Sequence, residues 1–284
     1  MKPYPYKTPL RYPGGKSRAV SQIFAQFPDH FEELREPFVG GGSVFLQVRQ
    51  RFPEKAVWIN DLNFDLFCFW KEAQRDAQAL AYRVAELRDA TTEGKTLWQN
   101  LREAPEALPD FDRAVRFFVM NRITFSGTID AGGYSEQAYK SRFTLSSIER
   151  LLPLRSLLEG VKITHSDYTE LTHAPGEDVL IFLDPPYENA TKSKLYGRKG
   201  VLHTSFDHDR FASAMKTCAH CWLITYDDIV EIRERFPFAV QKSWALQYGM
   251  NNYKQERAEI GAEVFLLNYE IAPTKPISAL TLFD

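Results

Sequence analysis

Residues 178–184, DVLIFLD, form a nearly continuous apolar run closed by an acid. A run of this length without alternation reads as a strand buried on both faces, as in the middle of a parallel sheet. A sheet of that kind needs helices on both sides, so an α/β fold follows from the one segment. Its neighbours agree. LREPFV (34–39), AVWINDL (56–62), VKITHSD (161–167) and CWLITYDD (221–228) read as further strands, and FAVQKSWALQY with AEVFLLNYE as a closing antiparallel pair. SVFLQVRQRF (43–52) has helical spacing after Ser43 as N-cap, and DHDRFASAMKTC reads as another helix. The stretch from 63 to about 155 is mostly helical, broken at EGK, APEALPD and SGTIDAGGYSE. The expected fold is a doubly wound, mostly parallel α/β sheet with an inserted helical subdomain. Residues 1–62 and 161–272 make the sheet domain, 63–160 the insertion and 273–284 a tail. A helical lobe beside the strand ends makes a cleft wide enough for a macromolecule.

Charge is informative only locally. The net charge of −2 does not announce a nucleic-acid binder. Yet from Met1 to Pro28 there are Lys2, Lys7, Arg11, Lys16 and Arg18 with no acid, and Lys192, Lys194, Arg198 and Lys199 form a second acid-free run. Such runs are usually solvated surface, and two of them in a slightly acidic chain point weakly to anion binding. Three cysteines argue against a disulfide framework and for a reducing compartment. No apolar run approaches the ~18 residues of a membrane span, and the first residues lack a secretory apolar core. The expectation is a cytoplasmic protein with no membrane partner.

EPFVGGGSVFL places Gly40, Gly41 and Gly42 between a strand and a helix. Without Cβ atoms the backbone can turn tightly and approach a ligand. Asp61 ends the next strand about 20 residues on, where a doubly wound fold puts an acid for ribose hydroxyls. Loop and acid together favour a bound adenosine-type ligand over an empty turn. They leave a dinucleotide and S-adenosylmethionine both open; Phe45 breaks the strict G-x-G-x-x-G and disfavours the former. RYPGGKS (11–17) is not a phosphate-binding P-loop, because Leu10 stands where its first glycine belongs. It remains a glycine turn presenting Lys16 beside Tyr12, or a plain surface turn.

DPPY (184–187) ends the central strand, beyond which open α/β sheets bind ligands. An ionised Asp184 only accepts hydrogen bonds and can hold an N–H group. Pro185 and Pro186 stiffen the backbone and carry carbonyls without competing N–H donors. Tyr187 offers a flat face for a base. The set suits an exocyclic amino group on a planar ring, with both hydrogens held and the lone pair aimed at an electrophile. An acid and a proline stop with no ligand is the plainer reading, and four consecutive residues each with a chemical use after a buried strand weigh against it.

Four segments together, PLRYPGGK, EPFVGGGSVFL with INDLN, FDRAVRFFVMNRITFSG, and IFLDPPY, resemble the Dam-like D12 class (α-group) DNA adenine-N6 methyltransferases. The resemblance runs from about residue 9 to about residue 270. It implies transfer of a methyl group from S-adenosyl-L-methionine to a flipped adenine in double-stranded DNA. By the same resemblance Tyr12 and Lys16 line the cofactor pocket, with Tyr12 where the family more often has Trp. Gly40 to Gly42 lie near the methionine moiety, Asp61 holds the ribose, Asp167 and Tyr168 contact the adenine of the cofactor, and Phe38 and Asp184 are further cofactor-binding residues. Asp184 to Tyr187 hold the target base. The insertion is the target-recognition lobe, in which Arg122 and Phe125 contact DNA or pack helices. Independently of the resemblance, Lys192, Lys194, Arg198 and Lys199 directly follow DPPY and are expected to form a mobile loop that orders on phosphates or the displaced strand. GGYSEQAYKSRF differs from the usual GATC-specific pattern. The resemblance allows a cognate restriction endonuclease as partner; a monomer is favoured.

Other readings stay open on sequence. The same chemistry acts on cytosine N4 or RNA in proteins of this fold, and a non-catalytic nucleic-acid-binding module is a third class. Cys218 and Cys221 of CAHC have metal-like spacing, but helix-to-strand packing is preferred to zinc, and no metal is expected. His165, His173, His203 and His208 form no triad pattern. NFDLFCFW (63–70) reads as helix core, and YGMNNYKQ (248–255) equally as a DNA-side loop or a hairpin connection.

Overall fold

Seven strands form one sheet in the order β3-β2-β1-β4-β5-β7-β6. They are β1 (Glu33–Glu36), β2 (Ala56–Asn60), β3 (Lys162–Thr164), β4 (Val179–Leu183), β5 (Cys221–Asp227), β6 (Val240–Gln247) and β7 (Ile260–Leu267). The first five run parallel to one another, while β7 runs antiparallel between β5 and β6. This computed structural model describes residues 6–12, 14–103, 107–188, 206–247 and 260–271. Lys192, Lys194, Arg198, Lys199, His203, the YGMNNYKQ segment and the tail lie outside the described residues.

The apolar run behaves as its composition requires. All five residues of β4 are buried, and it pairs on one edge with β1 and on the other with β5. Leu180 and Phe182 enter one core, and Val179, Ile181 and Leu183 the other. Two cores on two faces are the doubly wound arrangement, and the alternation follows from the two-residue period of a strand.

Helices connect the strands as expected. After α1 (Val20–Phe24), helix α2 (Ser43–Arg51) joins β1 to β2. Between β2 and β3 lie α3 (Phe64–Ala90), α4 (Gly94–Arg102), α5 (Asp110–Ile123), α6 (Glu136–Arg142), α7 (Leu145–Glu149) and α8 (Leu154–Leu157). Then α9 (Tyr168–His173) precedes β4, α10 (His208–Thr217) precedes β5 and α11 (Val230–Arg235) precedes β6. Asn63 caps α3 through the backbone N–H groups of Asp65 and Leu66. Asp76 leaves helical geometry inside α3 and its carboxylate accepts from the N–H groups of Gln78 and Ala79, so it recaps the second half across a kink. The inserted helices share one core with the sheet: Leu66, Phe69, Phe117 and Phe118 pack in the cluster that holds Leu34, Ile59 and Leu180. Among the described residues no helix is long and apolar enough to cross a membrane.

One cap differs from the sequence expectation. Ser43 is the first residue of α2, and the N-cap is Gly42, in the left-handed region at φ 70° with no side-chain cap. The turn from β1 is too tight for a side chain at the cap. The Ser43 hydroxyl meets the Ser17 hydroxyl at 2.8 Å instead.

Candidate active site

The chain runs outward from β1 through β2 to β3, then returns to place β4 on the opposite side of β1. The switch point between β1 and β4 is where such sheets open a crevice at the carboxyl ends of the strands. The glycine loop leaves β1 and the DPPY segment leaves β4 at this place. Asn60, buried at the end of β2, ties the neighbouring strand ends together. Its amide donates to the carbonyls of Pro37 and Ser166, and its oxygen accepts from the Ser166 N–H and the Thr164 hydroxyl.

The glycine loop is packed by protein on the sides where Cβ atoms would stand. A Cβ on Gly40 would lie 3.0 Å from the Tyr12 ring, and one on Gly41 2.9 Å from the Tyr12 Cβ. The Gly40 N–H donates to Asp61 Oδ2 at 3.0 Å, and the Asn63 N–H to Asp61 Oδ1 at 2.9 Å. Trp70 Nε1 donates to the Gly40 carbonyl. Loop and acid therefore form one unit. Burial raises the Asp61 carboxyl to about 6, against the lowering effect of these backbone N–H groups.

The lysine turn closes onto the loop and the DPPY segment together. The Gly15 N–H bonds the Tyr12 carbonyl at 3.0 Å. Lys16, only 4% exposed, places Nζ 2.8 Å from Asp184 Oδ1 and 4.8 Å from the centre of the Tyr187 ring. It also donates to the Gly14 carbonyl. Thr225, buried on β5, donates to the same Asp184 Oδ1 at 2.8 Å. The Tyr187 hydroxyl donates to Glu263 Oε2 at 2.9 Å from β7. Behind it the Tyr226 hydroxyl and His208 Nδ1 share a hydrogen bond of 2.6 Å.

Three contributors were absent from the sequence reading. Glu36 ends β1, is buried, and accepts from the Phe45 N–H at 3.0 Å. Burial, and then the charges of Asp184 and Asp61, raise its carboxyl well above the usual range. Its signal was available: an acid closing a buried strand, the same pattern that marks Asp184. Glu263 is a lone acid in an apolar strand, which is a comparable signal. Thr225 carried none, since threonine is ordinary in strands.

Other expected residues lie elsewhere or are already engaged. Asp167 caps α9, and both its oxygens accept from the Arg210 guanidinium at 2.9 Å. Burial pushes its carboxyl up, but the hydrogen bonds from Arg210 and Thr169 prevail and hold it at about 2. Tyr168 is buried against Phe38, Phe206 and Phe211, and its hydroxyl finds no partner among the described residues. Arg122 points inward: it is 4% exposed and donates to the Pro9 carbonyl and Asn121 Oδ1. The N-terminal segment covers this face of α5 at Pro9. Phe125, in the turn after α5, is 69% exposed. Cys218 donates to the Thr172 carbonyl and His220 bonds the Ala174 carbonyl, so CAHC joins α10 and β5 to the α9 region.

A family model of the D12 class N6 adenine-specific DNA methyltransferases matches residues 12–250. The chain belongs to this family. Curated relatives agree at low identity. A DNA N-6-adenine-methyltransferase of Escherichia phage P1 is 31% identical over 242 residues, which are 80% of this chain and 30% of that protein. The type II methyltransferase M.MjaIII of Methanocaldococcus jannaschii is 26% identical, covering 70% of this chain and 73% of its own. A DNA adenine methylase of Vibrio cholerae is 26% identical over 63% of this chain and 64% of its own. The chain thus spans less than a third of the length of the phage P1 relative. Membership in the D12 class implies S-adenosylmethionine as methyl donor in general. The donor set fits such a molecule: Asp61 is fixed at the glycine loop by the Gly40 and Asn63 N–H groups, where its carboxylate can accept from ribose hydroxyls. Asp184 is paired with Lys16 through Oδ1, so the charge of this strand end is held in place beside the glycine loop.

Proposed function

We propose that this chain transfers a methyl group from S-adenosylmethionine to N6 of an adenine extruded from double-stranded DNA. The carrying observation is the Lys16 Nζ contact of 2.8 Å to Asp184 Oδ1 over the Tyr187 ring, beside the glycine loop. Bound S-adenosylmethionine supplies an electrophilic methyl group. Gly40 to Gly42, Phe38 and Tyr12 line its pocket, Asp61 accepts from its ribose hydroxyls, and Asp167 and Tyr168 border its adenine.

Lys16 and Thr225 both reach Oδ1 of Asp184, which holds the carboxylate against rotation and leaves Oδ2 for one N–H of the target amine. A proline carbonyl of the DPPY segment, in a backbone stiffened at Pro185 and Pro186, takes the second N–H. The nitrogen lone pair is then directed out of the base plane toward the cofactor side. Positive charge grows on nitrogen during transfer, and the fixed carboxylate stabilises it. Orientation supplies much of the remaining acceleration. The methylated nitrogen is acidic enough to lose its extra proton to water, so no general base is needed at the chemical step. Tyr187 gives the base a stacking face, and Glu263 restrains that ring through its hydroxyl. Extrusion of the base costs about a few kcal/mol, which stacking offsets in part. The helical insertion, with exposed Phe125, is the lobe that reads the target.

Incubation with duplex DNA and labelled cofactor, followed by nucleoside analysis, tests this reading. N6-methyldeoxyadenosine is the expected product, and N4-methyldeoxycytidine or no labelled nucleoside would overturn it.

Asp61 adds a pH dependence. Ribose hydroxyls donate to its ionised form, so cofactor affinity should fall as pH drops below about 6. The cofactor-free protein responds with the opposite sign. A carboxyl raised on folding contributes stability below its unfolded value near 4 that is lost as pH rises through 6. Calorimetric titration from pH 5 to 8 should show the fall in affinity, and Asp61→Asn should flatten the profile; an unchanged profile in that variant removes Asp61 from the ribose site.

A further inference from the structure

The acid-free basic run at the start of the chain has a counterpart in three dimensions. Arg11 comes together with Arg122 on α5, Arg142 at the end of α6 and Arg150 at the end of α7. None of the four forms an ion pair among the described residues, whereas Arg113 and Arg116 in the same insertion bind Asp65. Their hydrogen bonds go to neutral groups. Arg150 donates to the carbonyls of Lys7 and Thr8, and Arg122 to Pro9 and Asn121. Arg11 Nη1 and Arg122 Nε are buried with no partner among the described residues. A buried donor without an acceptor is costly, and guanidinium groups crowded without a counter-charge repel. The crowding shows in Arg122, which burial and then its arginine neighbours lower to about 9.

The cluster is held in place. Asn121, fully buried, accepts from the Arg11 N–H at 2.9 Å and donates to the Arg11 carbonyl at 2.7 Å. Gly127 packs on the same residue: a Cβ there would stand 2.4 Å from the Arg11 carbonyl oxygen. The turn that carries exposed Phe125 therefore abuts Arg11, and Arg11 leads through Tyr12 to Lys16 and the candidate active site.

We propose that Arg11, Arg142 and Arg150, with Arg122 beneath them, form an anion site for a backbone phosphate of the DNA beside the extruded nucleotide. This rests on the reading of the chain as a DNA-modifying enzyme. A guanidinium fork matches two phosphate oxygens, and a phosphate met by the exposed Arg142 and Arg150 supplies the counter-charge that the cluster lacks. Contacts of this kind set register on the duplex without reading sequence.

Salt titrations of duplex binding by the full chain test the proposal, comparing the parent with Arg11→Gln and with Arg142→Gln/Arg150→Gln. Each phosphate contact contributes about 0.9 to the slope of log affinity against log salt. The expected result is a slope shallower by about 1 and a roughly uniform loss of affinity on all duplex sequences. The Arg142→Lys/Arg150→Lys variant keeps the charge and should keep the parent slope. A parent slope in both glutamine variants overturns the site. An equal loss in the lysine variant overturns it too, since the role would then be structural. A parent protein that binds no duplex at any salt overturns both this site and the methyltransferase reading, whereas adenine methylation with an unchanged slope overturns the site alone.

Discussion

Replacing Asp184 by alanine is expected to cut methyl transfer by about three orders of magnitude and to destabilise the protein at the same time. The two losses have different origins. In the proposed reaction the first is the loss of the acceptor that orients the amine and stabilises charge developing on nitrogen. The second comes from Lys16, which is 4% exposed against 20% for Asp184 and would lose its carboxylate 2.8 Å away. Removing one member of a buried pair leaves an uncompensated charge, at a cost of about 3 kcal/mol. Asp184→Asn keeps an oxygen for Lys16 and Thr225, so it should retain more stability while still losing transfer. Adding Lys16→Ala to Asp184→Ala should recover part of the stability and none of the activity. Urea unfolding together with tritium transfer to duplex DNA measures both quantities. Transfer at parent rates in Asp184→Ala would remove that residue from the reaction.

Gly42→Ala is expected to destabilise the cofactor-free protein by about 3 kcal/mol. Gly42 sits at φ 70°, a region costly for any residue with a Cβ. The added carbon would stand 2.4 Å from the Phe45 ring and 2.8 Å from Trp70, both fully buried. Neither ring can yield without disturbing the junction of α2 and α3 in the core. Sequence alone reads the three glycines as room for a ligand; at this one the neighbours are the protein's own aromatics. Unfolding in the absence of cofactor separates the two roles. Parent stability with weakened cofactor binding would restore the ligand reading for Gly42.

The sequence by itself determined the parts of this protein that depend on short-range pattern. A continuous apolar run dictated β4 and hence a sheet covered on both faces. Glycines after β1, an acid after β2 and DPPY after β4 stand at strand ends, and strand ends on one edge of a parallel sheet must meet. Tertiary structure alone decided which charged groups face one another. Lys16 and Asp184 are remote in the chain, and no periodicity tells a lysine in a glycine turn to cross to another strand end. Arg122 followed the same logic in reverse. On α5 its outward or inward direction depends on whether another segment covers that face, and residues 9 to 11 do so through Pro9, Arg11 and Asn121. Charge acts through space and local pattern acts along the chain, so the chemistry of the strand ends was legible while the ion pairs and the arginine cluster required the fold.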